Sequence, residues 1–241
     1  MKSSGHDLKA RLDAIRGRIR AAAERAARAP EEVTLVAVTK GVPVDRIRAA
    51  AALGVVDFGE NRLQEALPKT GALDAVAIRW HLVGHLQRNK ARRAAELFSL
   101  IHSVDSRALA ETLARHGEAR GRPVAVLLQV NVAAEAAKRG FAPRELLREA
   151  RGMVRLAGLR VDGLMTIAPL VGNPEEVRPI FRQLRALGEE LRAEAPGARH
   201  LSLSGALHLS MGMSDDFEVA IAEGATLIRI GRALFGERPT P

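Results

Sequence analysis

Val33-Thr34-Leu35-Val36-Ala37-Val38-Thr39-Lys40 is a β-branched, apolar run of strand length. Three residues on, Pro43 opens a helical segment that runs to Leu53 and stops at Gly54. A run that is apolar at successive positions belongs to a strand buried on both faces, as a parallel sheet requires. The same rhythm recurs in both directions. Upstream, Leu8, Leu12, Ile15 and Ile19 fall at helical spacing and predict an amphipathic helix that ends before Pro30. Downstream, strands are predicted over 55–58, 77–84, 100–104, 124–132, 160–167, 200–203 and 226–230. Helices are predicted between them over 62–68, 87–98, 107–119, 143–154, 174–193 and 215–222. The helix from Pro174 has a start signal in Asn173 as cap, proline at its first position and Glu176 placed to reach back. Eight strands alternating with helices predict a single (β/α)8 barrel of TIM type with an extra N-terminal helix, one domain over residues 1–241. An open doubly wound sheet is the structural alternative.

Composition narrows the function. The chain has 241 residues, a size typical of one such barrel, and no cysteine, which removes disulfides, thiolate metal sites and cysteine nucleophiles together. No charge-free stretch is long enough to span a membrane, and the polar N-terminus lacks the apolar core of a signal peptide, so a soluble cytoplasmic protein is expected. The net charge of +9 raises the question of nucleic acid, but the arginines are scattered and aromatics make up only 3% of the chain, leaving no stacking platform. The densest basic run, Arg88, Lys90, Arg92 and Arg93, reads as the solvated side of a helix. Anionic small ligands suit the charge as well, and specific nucleic-acid binding is not expected.

A (β/α)8 barrel carries its site at the C-terminal ends of its strands. Polar residues gather there: Lys40, Gly59 to Asn61, Gly84 and His85, Ser103 to Ser106, Asn131, Met165 and Thr166, Ser204, and Arg229 to Gly231. Lys40 ends an apolar strand in a chain that otherwise prefers arginine. Turned inward it loses hydration, and its amine becomes a candidate for carbonyl attack; turned to the rim it snorkels to water or pairs with Glu60. Ser210, Gly212 and Ser214 form a small-residue loop before a predicted helix, with Ser214 as its cap. Such a loop suits a phosphate, although taken alone it more often serves simple capping, and Asp215 and Asp216 should point away from any anion held there. Arg229 on an apolar strand requires an acceptor, either a ligand or a carboxylate from a neighbouring strand, and Gly231 lets backbone approach a ligand closely.

Taken together these segments are more specific than singly. Ala37-Val-Thr-Lys40, Phe58-Gly-Glu-Asn61, Trp80-His-Leu-Val-Gly84, Leu86-Gln-Arg-Asn-Lys90 and Ile101-His-Ser-Val-Asp105 are followed by Gln129-Val-Asn131, Gly163-Leu-Met165, Leu209-Ser-Met-Gly-Met-Ser-Asp-Asp216 and Arg229-Ile-Gly231. In that order, from about Leu8 to Gly236, they resemble the pyridoxal phosphate homeostasis protein family, whose barrel is like the N-terminal domain of alanine racemase. The resemblance implies pyridoxal 5′-phosphate (PLP) as cofactor, held as a Schiff base on Lys40. It implies a phosphate cup from Ser210, Met211, Gly212 and Ser214 closed by Gly231, Arg229 directed at the pyridine nitrogen, and Asn61 as pocket lining. Two places depart from the family pattern. Gly41-Val42-Pro43 replaces a polar residue and lysine before proline, and Ala133-Ala134 stand where a serine is common, near Lys138-Arg-Gly140.

Arginine against the pyridine nitrogen disfavours its protonation and makes the ring a poorer electron sink. Racemisation also needs a second base, which related racemases take from a tyrosine on a separate domain, and this chain has no tyrosine. The expected function is therefore intracellular PLP homeostasis and amino-acid balance without efficient catalysis. The partners implied are PLP itself and PLP-dependent apoenzymes as recipients, and a monomer is expected. The alternatives are a PLP enzyme acting on an amino acid with His81, His85 or His208 as base, a cofactor-free Schiff-base aldolase, and a nucleic-acid-binding barrel.

Overall fold

Strands with two apolar faces have to be covered on the outside, and helices do so here. The computed structural model describes residues 3–135, 138–194 and 207–236. The strands are β1 (Thr34–Val38), β2 (Asp57–Glu60), β3 (Arg79–Leu82), β4 (Leu100–Val104), β5 (Val124–Gln129), β6 (Leu159–Met165), β7 (His208–Ser210) and β8 (Leu227–Ile230). They pair in chain order, all parallel, and β8 returns onto β1 through Thr34↔Leu227 to Ala37↔Ile230. The sheet is a closed TIM-type barrel, which removes the open-sheet alternative.

The helices are α1 (Ser3–Arg25), α2 (Val44–Ala52), α3 (Leu63–Ala72), α4 (Ala91–Leu97), α5 (Arg107–Ala119), α6 (Pro143–Met153), α7 (Arg178–Glu194), α8 (Phe217–Ala222) and α9 (Arg232–Phe235). Their apolar stripes pack on the outward strand residues in one cluster that includes Leu12, Ile47, Leu113, Phe181 and Phe217. The extra N-terminal helix fastens the seam. Arg18 of α1 makes a two-pronged contact with Glu218 of α8 at 2.7 and 2.9 Å and lies 4.5 Å above the Phe217 ring. None of the described helices is long and apolar enough to cross a membrane.

Four expectations change. The seventh strand was expected over 200–203, which with Ser204 lies outside the described residues. The strand between β6 and β8 is His208–Ser210, the start of the segment expected to be a phosphate loop. Its three residues carry one outward apolar side chain, Leu209, so no apolar run announces it. Secondly, α3 continues past Pro68 to Ala72, because Lys69 in the following turn is held by ion pairs to Glu60 and Glu65. Thirdly, the segments expected to be helix from 87 and 174 begin as 3-10 turns, Arg88–Lys90 and Pro174–Val177, and the Asn173 side chain accepts from the Glu175 amide at 3.1 Å. Finally, α8 starts at Phe217 with Asp216 at its cap position, so Ser214 is not the cap; its Oγ accepts from the Ala233 amide instead.

Close approach between α5 and the turn before β6 depends on two glycines. A Cβ on Gly117 would sit 1.9 Å from the Gly158 carbonyl oxygen, closer than any real contact. Gly117→Ala is expected to destabilise the protein by about 3 kcal/mol, the cost of forcing apart a packed contact. Gly17, on the exposed face of α1, has nothing near its absent Cβ. Gly17→Ala should therefore stabilise by about 1 kcal/mol through helix propensity. Urea denaturation of both variants checks the contrast.

Candidate functional site

At the C-terminal mouth two cavities adjoin. The smaller, about 340 Å3, is lined by Val38, Asn61, Ile167, Ser214, Arg229 and Gly231 among others. The larger, about 610 Å3, is lined by Lys40, Asn61, Arg62, Gln64, His85 and Lys90 among others. Asn61 borders both. Strand alternation explains who points where. Val36 and Val38 face the barrel axis, Thr39 faces outward, and Lys40 follows on the inner side at the rim. Lys40 is half-buried, and among the described residues its amine makes no hydrogen bond and no ion pair. Glu60, the partner considered from sequence, is taken by Lys69. Lys90, expected on a solvated helix face, is half-buried and lines the Lys40 cavity.

Behind the strands, a buried cluster fixes the backbone on both sides of Lys40. The Lys69 ammonium donates to the Thr39 carbonyl at 2.7 Å, to Glu60 Oε1 at 2.6 Å and to Glu65 Oε1 at 3.0 Å. Thr39 Oγ1 donates to Glu60 Oε1 at 2.5 Å, and Glu65 accepts the Gly41 amide. Burial pushes the Glu60 carboxyl up despite the hydrogen bonds from Lys69 and Thr39. Burial also acts on Glu65, but the Gly41 amide and Lys69 outweigh it and hold that carboxyl below its ordinary value. Nothing in the sequence reading picked out Lys69 or Glu65. Their only trace is an i, i+4 acid–base spacing that runs one residue past the helix predicted over 62–68, and such pairs usually lie on the surface.

Arg229 is buried on the floor of the smaller cavity. It donates to Ser210 Oγ at 2.6 Å and to the Thr166 carbonyl at 2.8 Å, so its acceptors are a hydroxyl and a backbone oxygen, not the carboxylate considered from sequence. Desolvation lowers its pKa to about 10, which leaves it charged at neutral pH. Beyond Ser210 a polar chain continues down the barrel: Ser210 Oγ to His102 Nδ1 at 2.8 Å, His102 Nε2 to His81 Nδ1 at 2.9 Å, and His81 Nε2 to Asp57 Oδ1 at 2.9 Å. Arg79 grips Asp57 from below with two bonds of 2.7 Å. His102 is held well below the ordinary histidine range, first by burial and then by its neighbours His81 and Arg229. Burial raises the Asp57 carboxyl, but the bonds from His81 and Arg79 prevail and bring it to about 2. Asp57 and His102 were also missed, since each sits singly in a different strand.

The loop after β7 divides the residues expected there. Ser210 and Met211 are fully buried, Ser210 in the barrel interior and Met211 in the outer core. Gly212 turns the chain with φ +91°, and a Cβ there would meet Ala220 Cβ at 2.6 Å. Among the described residues the amides of Gly212, Ser214 and Asp215 donate to no acceptor. Asp216 accepts from the Met213 amide at 2.6 Å and Asp215 pairs with Arg232, so neither carboxylate is left free at the loop. No cluster of metal-ligating side chains forms among the described residues.

Residues 10–239 match the family described as alanine racemase, N-terminal domain. Over 228 residues the chain is 43% identical to the pyridoxal phosphate homeostasis protein of Aquifex aeolicus, covering 95% of this chain and 97% of that one. The chain belongs to the pyridoxal phosphate homeostasis protein family. The Escherichia coli K12 member of the family is 39% identical over 239 residues, covering 97% of each chain. The solved structure of PipY of Synechococcus elongatus with PLP bound superposes with a TM-score of 0.81 at 41% identity, covering 95% of this chain and 100% of that one. An alanine racemase of Clostridium difficile shares the fold at a TM-score of 0.72 and 14% identity, and this chain covers 58% of it.

Two outcomes follow from the buried charges. Lys69→Met leaves Glu60 buried without its cation and is expected to cost about 3 kcal/mol or more, with Glu60→Gln in the same chain recovering part of the loss. Paired urea denaturation curves measure both. Asp57 is depressed from 3.8 to about 2, so its contribution is complete above pH 4 and drains away as pH falls towards 2. The wild-type advantage over Asp57→Asn should shrink by about 2 kcal/mol across that window in a pH series of the same curves.

Proposed function

We propose that this protein binds PLP and holds it covalently through Lys40, managing the cofactor inside the cell as a single chain without efficient catalysis. The observation that carries the reading is Lys40 itself. Among the described residues its half-buried amine makes no hydrogen bond and no ion pair, while the backbone on either side is held by Lys69 and Glu65. Such an amine is placed to condense with an aldehyde, forming a C=N bond and releasing one water. The rest of the mouth suits the same ligand. The unbonded amides of Gly212, Ser214 and Asp215 offer donors to a phosphate. Gly231 brings backbone to the cavity wall, Asn61 lines both cavities, and Arg229 presents a fixed cation to a ring nitrogen. In this reading Ser210 serves the ring end by holding Arg229 and does not touch the phosphate, and Met211 contributes backbone alone.

When bound, PLP supplies an electron sink for chemistry on amino groups. Arg229 works against that use, because a cation facing the ring nitrogen opposes its protonation. The family's relatives carry the name of homeostasis proteins, which favours a carrier that passes PLP to apoenzymes. A weak activity on an amino acid is the second reading, and one observation favours it. His85 lines the Lys40 cavity and pairs with Asp105 at 3.1 Å, so it is placed to take a proton there. His81 lies within the barrel and His208 faces Thr226 at the far end of β7, so neither shares that position.

Absorption spectra of the wild type and Lys40→Ala with added PLP test the proposal. Wild type should gain a visible band that survives gel filtration, and Lys40→Ala should lose the cofactor on the column. A wild type that stays colourless with excess PLP would refute the reading. Net product formation from an amino acid, abolished in His85→Asn, would favour the enzyme instead.

A further inference from the structure

With both histidines neutral, the polar chain inside the barrel has one direction. Arg229 can only donate, so Ser210 Oγ accepts from it and has its own proton to give. At the other end Asp57 is ionised and accepts only, so His81 must carry a proton on Nε2. With His81 neutral, its Nδ1 accepts from His102 Nε2–H, and His102 Nδ1 then accepts the Ser210 hydroxyl. Each link uses one donor and one acceptor, and none is left over. The reverse order would need a charged His81 and would leave the Ser210 proton without an acceptor among the contacts this hydroxyl makes. The chain thus runs from a guanidinium on the cavity floor to a carboxylate at the opposite end of the barrel, where Arg79 closes it.

We propose that Asp57, His81, His102 and Ser210 are positioning residues for Arg229, a directed hydrogen-bond chain that sets where its guanidinium sits and how strongly it donates to a ligand on the cavity floor. The inference rests on the reading that PLP places its ring nitrogen against Arg229. The physical reason is polarisation. Hydrogen bonds aligned head to tail strengthen one another in a low-dielectric interior, so a carboxylate three side chains away is felt at the arginine. A purely local role would stop at Ser210, the only chain member that touches Arg229.

Two measurements on the full chain test this. In the cofactor-free wild type, imidazole 15N NMR should find His81 and His102 both protonated on Nε2 and bare on Nδ1. A proton on His102 Nδ1 overturns the chain, whatever the protein binds. Secondly, PLP is titrated into wild type, Ser210→Ala and Asp57→Asn. Both variants should bind about tenfold more weakly, the loss expected of a weakened hydrogen bond to a charged group. Both should also displace the absorption and emission of the bound cofactor in the same direction. A folded Asp57→Asn with wild-type affinity and spectrum overturns the proposal, even if Ser210→Ala is impaired. Should Asp57→Asn not fold, the wild-type tautomers decide. Should the wild type take up no PLP, the functional reading fails, and the tautomers alone judge the chain.

Discussion

Parallel pairing of β8 with β1 is the constraint from which the site follows. Four successive pairs, Thr34↔Leu227 to Ala37↔Ile230, turn a ladder of strands into a closed wall with no free edge. Closure brings Lys40, just beyond β1, to the same rim as Arg229 and Gly231 at the end of β8. It also places the loop after β7 beside them. The packing of α1 across α8 and α9 secures this seam, and Arg18 on Glu218 and Phe217 is its polar fastening.

A closed barrel excludes water, so every charge within it has to be answered by another group. Two separate polar systems do this, and they serve opposite faces of the wall. Outside it, Glu60 and Glu65 share the Lys69 ammonium while the cluster grips Thr39 and Gly41, so Lys40 rides on a fixed backbone with its amine free of hydrogen bonds among the described residues. Inside it, Asp57 is shared between Arg79 and a histidine chain that reaches towards Arg229. Isolated, either set of charges would be very costly in an apolar interior; paired and hydrogen-bonded, they become rigid supports.

In the proposed function the arrangement serves holding over turning over. A lysine and a loop of amides that are unbonded among the described residues, with a cationic floor, would take an anionic aldehyde. The same cation would oppose the ring protonation that carbanion chemistry relies on. An alanine racemase shares this fold at 14% identity. Shared fold with an enzyme is therefore weak guidance to activity here.

Local order decided much of this protein. The run from Val33 to Lys40 and its repeats were enough to predict alternating strands and helices and a closed barrel, because apolar runs and proline or glycine punctuation act within a few residues. Lys40 and Arg229 were visible for the same reason, as charges at the ends of apolar strands. The three-residue strand at His208 was not, since it is too short to show a period and exists through its neighbours β6 and β8. Nor were the partners of the charges. Lys69 reads as a surface residue until α3 packs its face against β1 and β2, and Asp57, His81, His102 and Ser210 become a chain only once four strands face one axis. Sequence fixes which side a residue points to; only closure of the barrel decides what it meets there.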